Sequence, residues 1–231
     1  MNIAKDLIGL PTAAVADVLR IGGLQHRALS SALRPLGASG RLCAPAFCVR
    51  GETAMGPEPK DAKAVRHAMF HRALEGKVLV MSTGGYAESA VFGENVALAV
   101  RARGCCGVMV DGGVRDSESL ATMDIPVFAR FSTPVSNAGR WRYVALEEPV
   151  LMPGQTSANV LVYPGDVLLG DRDGVMVIPS QYAADVAADA RRLIAVEEMQ
   201  RPRLVRGDDP KEVYASGDRY GHIRQYTAAA D

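Results

Sequence analysis

The sequence predicts a mixed α/β fold in which a parallel βαβ unit is followed by a hairpin-rich second half and a C-terminal helix. Three observations predict it. Short apolar runs at Lys77–Ser82, Cys106–Val110 and Ile125–Ala129 alternate with helix-like segments at Glu94–Arg103 and Ser117–Met123. That order gives right-handed crossovers and a parallel sheet. From Arg142 to Pro179 the pattern shifts to short β-type runs between Pro-Gly and Asp-rich turns. After Ser180 a helix is expected over 181–200.

The elements follow in order. Thr12–Arg20 (TAAVADVLR) reads as a helix with Thr12 as its N-cap and Leu10 as a staple residue before it. Arg34–Arg50 is rich in Gly, Pro and apolar pairs, which makes turns and a strand or two. Gly51–Asp61 is a loop by composition, and Ala62–Leu74 is a helix closed by Gly76. Thr83-Gly84-Gly85 ends the first buried strand and Asp111-Gly112-Gly113 ends the second. In the second half, strands are expected at Val160–Tyr163, Val167–Leu169 and Val175–Ile178, joined by Pro164-Gly165-Asp166 and Asp171-Arg172-Asp173-Gly174. The tail after Pro202 has few apolar anchors. Residues 1–180 therefore read as one domain, and 181–231 as a helix and tail that pack on a neighbouring subunit.

Length and composition narrow the function classes. The 231 residues are 48% hydrophobic and 23% charged, the ordinary globular mix. Lys+Arg and Asp+Glu are both 26, so there is no basic excess to favour nucleic acid. The N-terminus is interrupted by Lys5, Asp6 and Asp17, and reads as neither a signal peptide nor a membrane span. Cys43, Cys48, Cys105 and Cys106 fit neither a disulfide framework nor a zinc site, so buried thiols in the cytoplasm are expected.

In an open parallel sheet, ligands bind where strand ends lead into helix N-termini. Two loops qualify, Thr83–Gly93 and Asp111–Asp116. If their strands are neighbours, Gly93-Glu94-Asn95-Val96 and Arg115-Asp116 share one edge. The first helical amides then suit a carboxylate. Arg115 adds a bidentate grip, and Asp116 a hard oxygen suited to Mg²⁺ or Mn²⁺. The same residues also read as a plain strand end and helix cap. Other motifs are weaker. Gly84-Gly85 lacks a nucleotide-loop pattern, and no G-x-S-x-G elbow exists. His67 and His71 stand four apart without the Glu of a zinc helix, and Asp171 and Asp173 are turn formers. Tyr86 and Arg140 are further candidate pocket residues, with nothing to rank them.

The run GENVALAVRARGCCGVMVDGGVRD resembles the signature of the RraA-like family, whose pattern is an acid, twenty residues, then Arg-Asp. Glu94, Arg115 and Asp116 fit that spacing. The resemblance extends through IPVFARFSTP and PGDVLLGDRDGVMVIP and back to TAAVADVL, covering most of residues 10–180. It implies the swivelling β/β/α fold, assembled as trimers or hexamers with shared sites. It also implies a class II 4-hydroxy-4-methyl-2-oxoglutarate/4-carboxy-4-hydroxy-2-oxoadipate aldolase with oxaloacetate decarboxylase activity. In such an enzyme Asp116 binds Mg²⁺ or Mn²⁺ directly, and Arg115 grips pyruvate. Gly93–Val96 hold the substrate carboxylate, and Glu94 acts through water. A second acid, Glu197 or Glu198, comes from a neighbouring subunit. Glu94 replaces the commoner Asp, and Ala44-Pro45-Ala46 replaces the usual Gly-Pro-Ala. The competing implication is a non-catalytic regulator of an RNA-degrading endonuclease, as some shorter family members are.

Overall fold

A computed structural model describes residues 3–37, 40–56, 60–72 and 74–226. Residues 57–59 of the loop expected over 51–61, and the last five residues of the tail, lie outside that set. In chain order the elements are α1 (Thr12–Ile21), β1 (Arg34–Pro35), β2 (Leu42–Thr53), α2 (Lys60–His71), β3 (Val78–Ser82), β4 (Ala90–Phe92) and α3 (Glu94–Arg101). Then come β5 (Gly107–Val114), α4 (Ser117–Thr122), β6 (Val127–Ser132), β7 (Trp141–Leu146), β8 (Val150–Pro153) and β9 (Asn159–Val162). The chain ends with β10 (Val167–Gly170), β11 (Val175–Ile178), α5 (Ala183–Val205) and α6 (Pro210–Ala215).

One sheet organises the chain, in the order β1-β6-β5-β3-β2-β10-β11, with β4 beside β5 and β7 beside β2. The pairs β2–β3, β3–β5, β4–β5 and β5–β6 are parallel, as the alternation of strands and helices predicts. Every residue of β3 and β5 is buried, which is why Val78–Met81 and Gly107–Val110 read as continuous runs of apolar residues and glycine rather than alternating ones, with Ser82 and Asp111 the buried polar residues that follow them. The second half forms the expected hairpins: β10 pairs antiparallel with β11, and β8 with β9. Ala44 pairs with Leu168 of β10 and is buried, so β2 accommodates alanine where the family pattern has glycine.

Among the described residues three apolar clusters form the core. One lies under α2 and α3 and includes Phe47, Leu79, Phe92, Val110 and Trp141. A second, on the other face, joins Cys48, Val80, Met109 and Phe128 to Val150 and Val162 of the β8–β9 hairpin. The third packs α1 against α5. All four cysteines are free, and burial pushes the Cys43 thiol up to about 11 and the Cys48 thiol to about 12, so neither is a nucleophile at neutral pH. Among the described residues no helix is long and apolar enough to cross a membrane.

Several expectations need correction. The second buried strand does not stop at Asp111-Gly112-Gly113 but runs on to Val114. A Cβ on Gly112 would lie 2.9 Å from Thr83, and one on Gly113 2.6 Å from the Phe131 ring. The glycines therefore mark close approach and a bulge against β6, not a strand end. The loop before Gly93 contains β4, too short to show as a periodic run. Thr12 is not a cap: it is the first helical residue, and its N–H and hydroxyl both donate to the Asp171 carboxylate, at 2.9 and 2.7 Å. Ser180 opens a 3₁₀ turn, and α5 begins at Ala183. The first half of α5 and the tail pack on their own chain: Val186, Ala190 and Leu193, with Ile223 and Tyr226, bury against α1. Tyr226 donates to Asp189 at 2.9 Å, an anchor invisible in the tail's composition.

Candidate active site

The site is built by strand pairing. Phe92 of β4 pairs with Val114 of β5, so the residues that follow, Gly93 and Arg115-Asp116, emerge side by side at one sheet edge. The Arg115 N–H donates to the Phe92 carbonyl at 3.0 Å and locks the two chain segments together. Gly93 is extended, so glycine is not needed there for its backbone. It is needed for space: a Cβ would sit 2.9 Å from Asp116 Oδ2 and 3.0 Å from Arg115 Cγ. Both functional side chains thus lie directly on the Gly93 backbone.

Asp116 adopts left-handed backbone angles, φ 58° and ψ 39°, at the N-cap of α4. An N-cap aspartate ordinarily caps its own helix. This one does not. Its carboxylate turns back instead and accepts the Glu94 N–H of α3 at 3.1 Å. Left-handed geometry is uncommon outside glycine, though Asp tolerates it better than most. It is spent here on aiming a carboxylate across to the neighbouring strand end.

That aim revises the anion site expected over Gly93–Val96. The Glu94 amide is occupied by Asp116, and the Val96 and Ala97 amides both return to the Gly93 carbonyl, at 3.1 and 3.0 Å. Among the described residues only the Asn95 amide of that turn has no hydrogen-bond partner. A substrate carboxylate would meet one amide there, not a ring of them. The Arg115 guanidinium stands beside it, 3.7 Å from Asp116, and both side chains are a little under half exposed.

Arg115 and Asp116 form the wall between two clefts. The smaller, about 160 Å³, is lined by Gly93, Asn95, Val96, Arg115 and Asp116, with Arg66 from α2, Ser136 and Asn137 from the β6–β7 loop, and Tyr143 from β7. The larger and more open one, about 440 Å³, holds Glu94 and Glu118 with Ser117, Ser132 and Thr133. Glu94 therefore faces the other side of the wall from Asn95. The helix that carries His67 and His71 contributes Arg66 to the small cleft, and neither histidine. Tyr86 is buried against Ser89, 2.6 Å away, and lines neither cleft, nor does Arg140. Arg66 has no motif around it. Only the packing of α2 on β7 brings it to the site.

Among the described residues no group of three His, Cys, Asp or Glu side chains could hold a metal ion. Asp116 offers a solvent-facing carboxylate whose Oδ1 accepts no hydrogen bond among those residues. One carboxylate with water and substrate oxygens is a donor set that suits Mg²⁺ or Mn²⁺, which keep several waters, and does not suit a preformed cage. The two C-terminal acids are also distinguished. Glu197 is ion-paired with Arg219 of its own chain, whereas Glu198 is exposed. Further along β5, Asp111 is buried, accepts from Arg130 at 3.3 Å, and is pushed up to about 6 by burial, against the pull of that guanidinium.

Comparison with known proteins agrees with this architecture. The family model for RraA-like proteins (Aldolase/RraA) matches residues 12–177. A Halalkalibacterium halodurans protein, named provisionally as a 4-hydroxy-4-methyl-2-oxoglutarate aldolase, is 30% identical over 189 residues, 82% of each chain. An uncharacterised protein of Methanocaldococcus jannaschii is 34% identical over 134 residues, 58% of this chain, and the match spans 61% of that protein's length. Among solved structures, a Streptomyces coelicolor member of the RNase ES inhibitor RraA family superposes with a TM-score of 0.74. It is 24% identical and covers 87% of this chain and 97% of that one, a likeness of fold. The chain belongs to the RraA-like family.

Proposed function

We propose that the protein is a divalent-cation-dependent lyase that splits 4-hydroxy-2-oxo acids of the 4-hydroxy-4-methyl-2-oxoglutarate type to pyruvate, and that it also decarboxylates oxaloacetate. One observation carries this reading: a guanidinium, a solvent-facing carboxylate and an open amide converge on Gly93 at the mouth of a small cleft. The provisional name of the Halalkalibacterium relative supports it.

Arg115 takes the substrate's C1 carboxylate, and the Asn95 N–H adds a second donor. As the C3–C4 bond breaks, its electron pair moves onto the C2 oxygen. The fixed charge of Arg115 stabilises the enolate in a site that needs little reorganisation. Glu94, on the far side of the wall, relays the C4 hydroxyl proton through water, and protonation at C3 completes pyruvate. Loss of CO₂ from oxaloacetate breaks the corresponding bond and passes through the same enolate. Asp116 would hold Mg²⁺ or Mn²⁺, which when bound acts as a Lewis acid on the substrate's keto oxygen. In a trimer or hexamer with shared sites, Glu198 is the acid left to reach a neighbouring cleft, because Glu197 is engaged by Arg219.

The test is pyruvate release from a small panel of 4-hydroxy-2-oxo acids and oxaloacetate, with Mg²⁺ or Mn²⁺ and with EDTA. Release with metal and none in the chelator is expected. No pyruvate from any member of the panel would overturn the reading.

A further inference from the structure

The clefts on the two sides of the Arg115–Asp116 wall offer a substrate different chemistry. In the lyase reading above, on which this inference rests, the C1 carboxylate meets Arg115 and Asn95 while the C4 hydroxyl faces Glu94. The substrate then crosses the wall, and whatever C4 carries lies in the larger cleft of about 440 Å³. That cleft presents the carboxylates of Glu94 and Glu118 and the hydroxyls of Ser117, Ser132 and Thr133. Among the described residues neither glutamate side chain has an ion-pair or hydrogen-bond partner. Arg115 is the one cation among the described residues lining the cleft, and C1 engages it. A carboxylate only accepts hydrogen bonds, whereas a serine or threonine hydroxyl both donates and accepts. A hydroxylated tail satisfies both kinds of group. A tail carboxylate meets like charges and no cation of its own.

We infer that Glu118 is a specificity-determining residue of the larger cleft, and that the preferred substrates are 4-hydroxy-2-oxo acids with an uncharged, hydroxylated tail beyond C4. Cleavage then releases pyruvate and a hydroxyaldehyde. Glu118 accepts from the tail hydroxyl, and Ser132 and Thr133 donate to it. A dicarboxylic acid such as 4-hydroxy-4-methyl-2-oxoglutarate is still split, but more slowly. The bond changes are those of the lyase reading: the C3–C4 electron pair moves onto the C2 oxygen, the C4 hydroxyl gives up its proton to become the aldehyde, and C3 gains a proton. Glu118 is exposed in the first turn of α4, so its charge can be removed without disturbing the core. Specificity here is therefore separable from the reacting end.

Three substrates that differ only at C5 test this. 4,5-Dihydroxy-2-oxopentanoate, 4-hydroxy-2-oxopentanoate and 4-hydroxy-2-oxoglutarate carry a hydroxymethyl, a methyl and a carboxylate group there. Retro-aldol cleavage yields pyruvate from each, with glycolaldehyde, acetaldehyde and glyoxylate respectively. The readout is the ratio of kcat/KM between substrates within one protein, which cancels any general loss of folding or activity. The wild-type protein should favour the hydroxymethyl acid over both others. Glu118→Gln removes the charge and keeps an acceptor. At an exposed position the charge effect is modest, so the hydroxymethyl-over-carboxylate ratio should fall by about threefold. Glu118→Ala removes the acceptor as well, so the hydroxymethyl-over-methyl ratio should fall by about three- to tenfold. A wild-type preference for the methyl or the carboxylate acid, or both ratios unchanged within about 1.5-fold in Glu118→Ala, would overturn the assignment while leaving the lyase reading intact. If the wild-type protein released pyruvate from none of the three, the lyase reading itself would fail, and the Glu118 assignment with it.

Discussion

Gly93→Ala separates the needs of the fold from those of the site. The added Cβ would stand 2.9 Å from Asp116 Oδ2 and 3.0 Å from Arg115 Cγ, where ordinary contact begins near 3.4 Å. Both side chains must then retreat by roughly half an ångström. The backbone does not object, since φ is −160° and ψ −178°. The displaced groups are side chains 44% and 43% exposed, so they can move at a cost below about 1 kcal/mol. For a chain of this size that lowers Tm by no more than about 2–4 °C. Catalysis is less forgiving. A misplacement of about 1 Å costs on the order of 10²-fold, so half that distance costs about tenfold, or roughly 1.4 kcal/mol of transition-state binding. Thermal unfolding and initial rates of pyruvate release, measured on the same preparation, check both halves. Full activity at an unchanged Tm would refute the claim that contact with Gly93 positions Arg115 and Asp116 for chemistry.

Three further outcomes follow. Arg115→Ala should raise KM and lower kcat together, with Arg115→Lys recovering only part, whereas Glu94→Gln should lower kcat by about 10² with KM little changed; steady-state kinetics separate them. Asp111 is buried with a carboxyl raised from 3.8 to about 6, so between those values the native state holds a proton that the unfolded chain releases. Its contribution to stability therefore falls as the pH rises from about 4 to 6, by roughly 3 kcal/mol at most. Denaturant unfolding of Asp111→Asn should gain on wild type across that window, and parallel curves would show the carboxyl to be unperturbed. In Gly22→Ala the new Cβ would fall 2.3 Å from the Tyr226 ring. The tail should be displaced, at a cost of about 2–4 kcal/mol in lost burial, with faster hydrogen exchange over residues 218–226. Unchanged exchange would show that the tail does not depend on this contact.

Much of the site is legible in the sequence because strand pairing makes it local. Once two parallel strands are adjacent, Gly93 and Arg115-Asp116 must emerge together, and Phe92 opposite Val114 meets that condition. What the residues do with one another is less legible. Asp116 reaches back to the Glu94 amide only because its backbone is left-handed, a choice that no spacing rule encodes. The glycines at 112 and 113 look like a strand end, yet they serve close packing against Thr83 and Phe131 inside the strand. Arg66 reaches the cleft through the packing of α2 on β7, a contact between segments far apart in sequence. The tail looks unanchored because its anchor, Tyr226 to Asp189, joins two residues that are unremarkable singly.

The central claim is that the Arg115–Asp116 wall stabilises the enolate of pyruvate. It can be tested without knowing the physiological substrate. Pyruvate in D₂O with the protein and Mg²⁺ should exchange its methyl hydrogens for deuterium, followed by proton NMR, because forming and reprotonating the enolate requires no aldol partner. Exchange should stop in EDTA and in Asp116→Ala, and should fall by at least about 10² in Arg115→Ala. Exchange that proceeds equally in Arg115→Ala and in the chelator, or no exchange with the wild-type protein, would contradict the account.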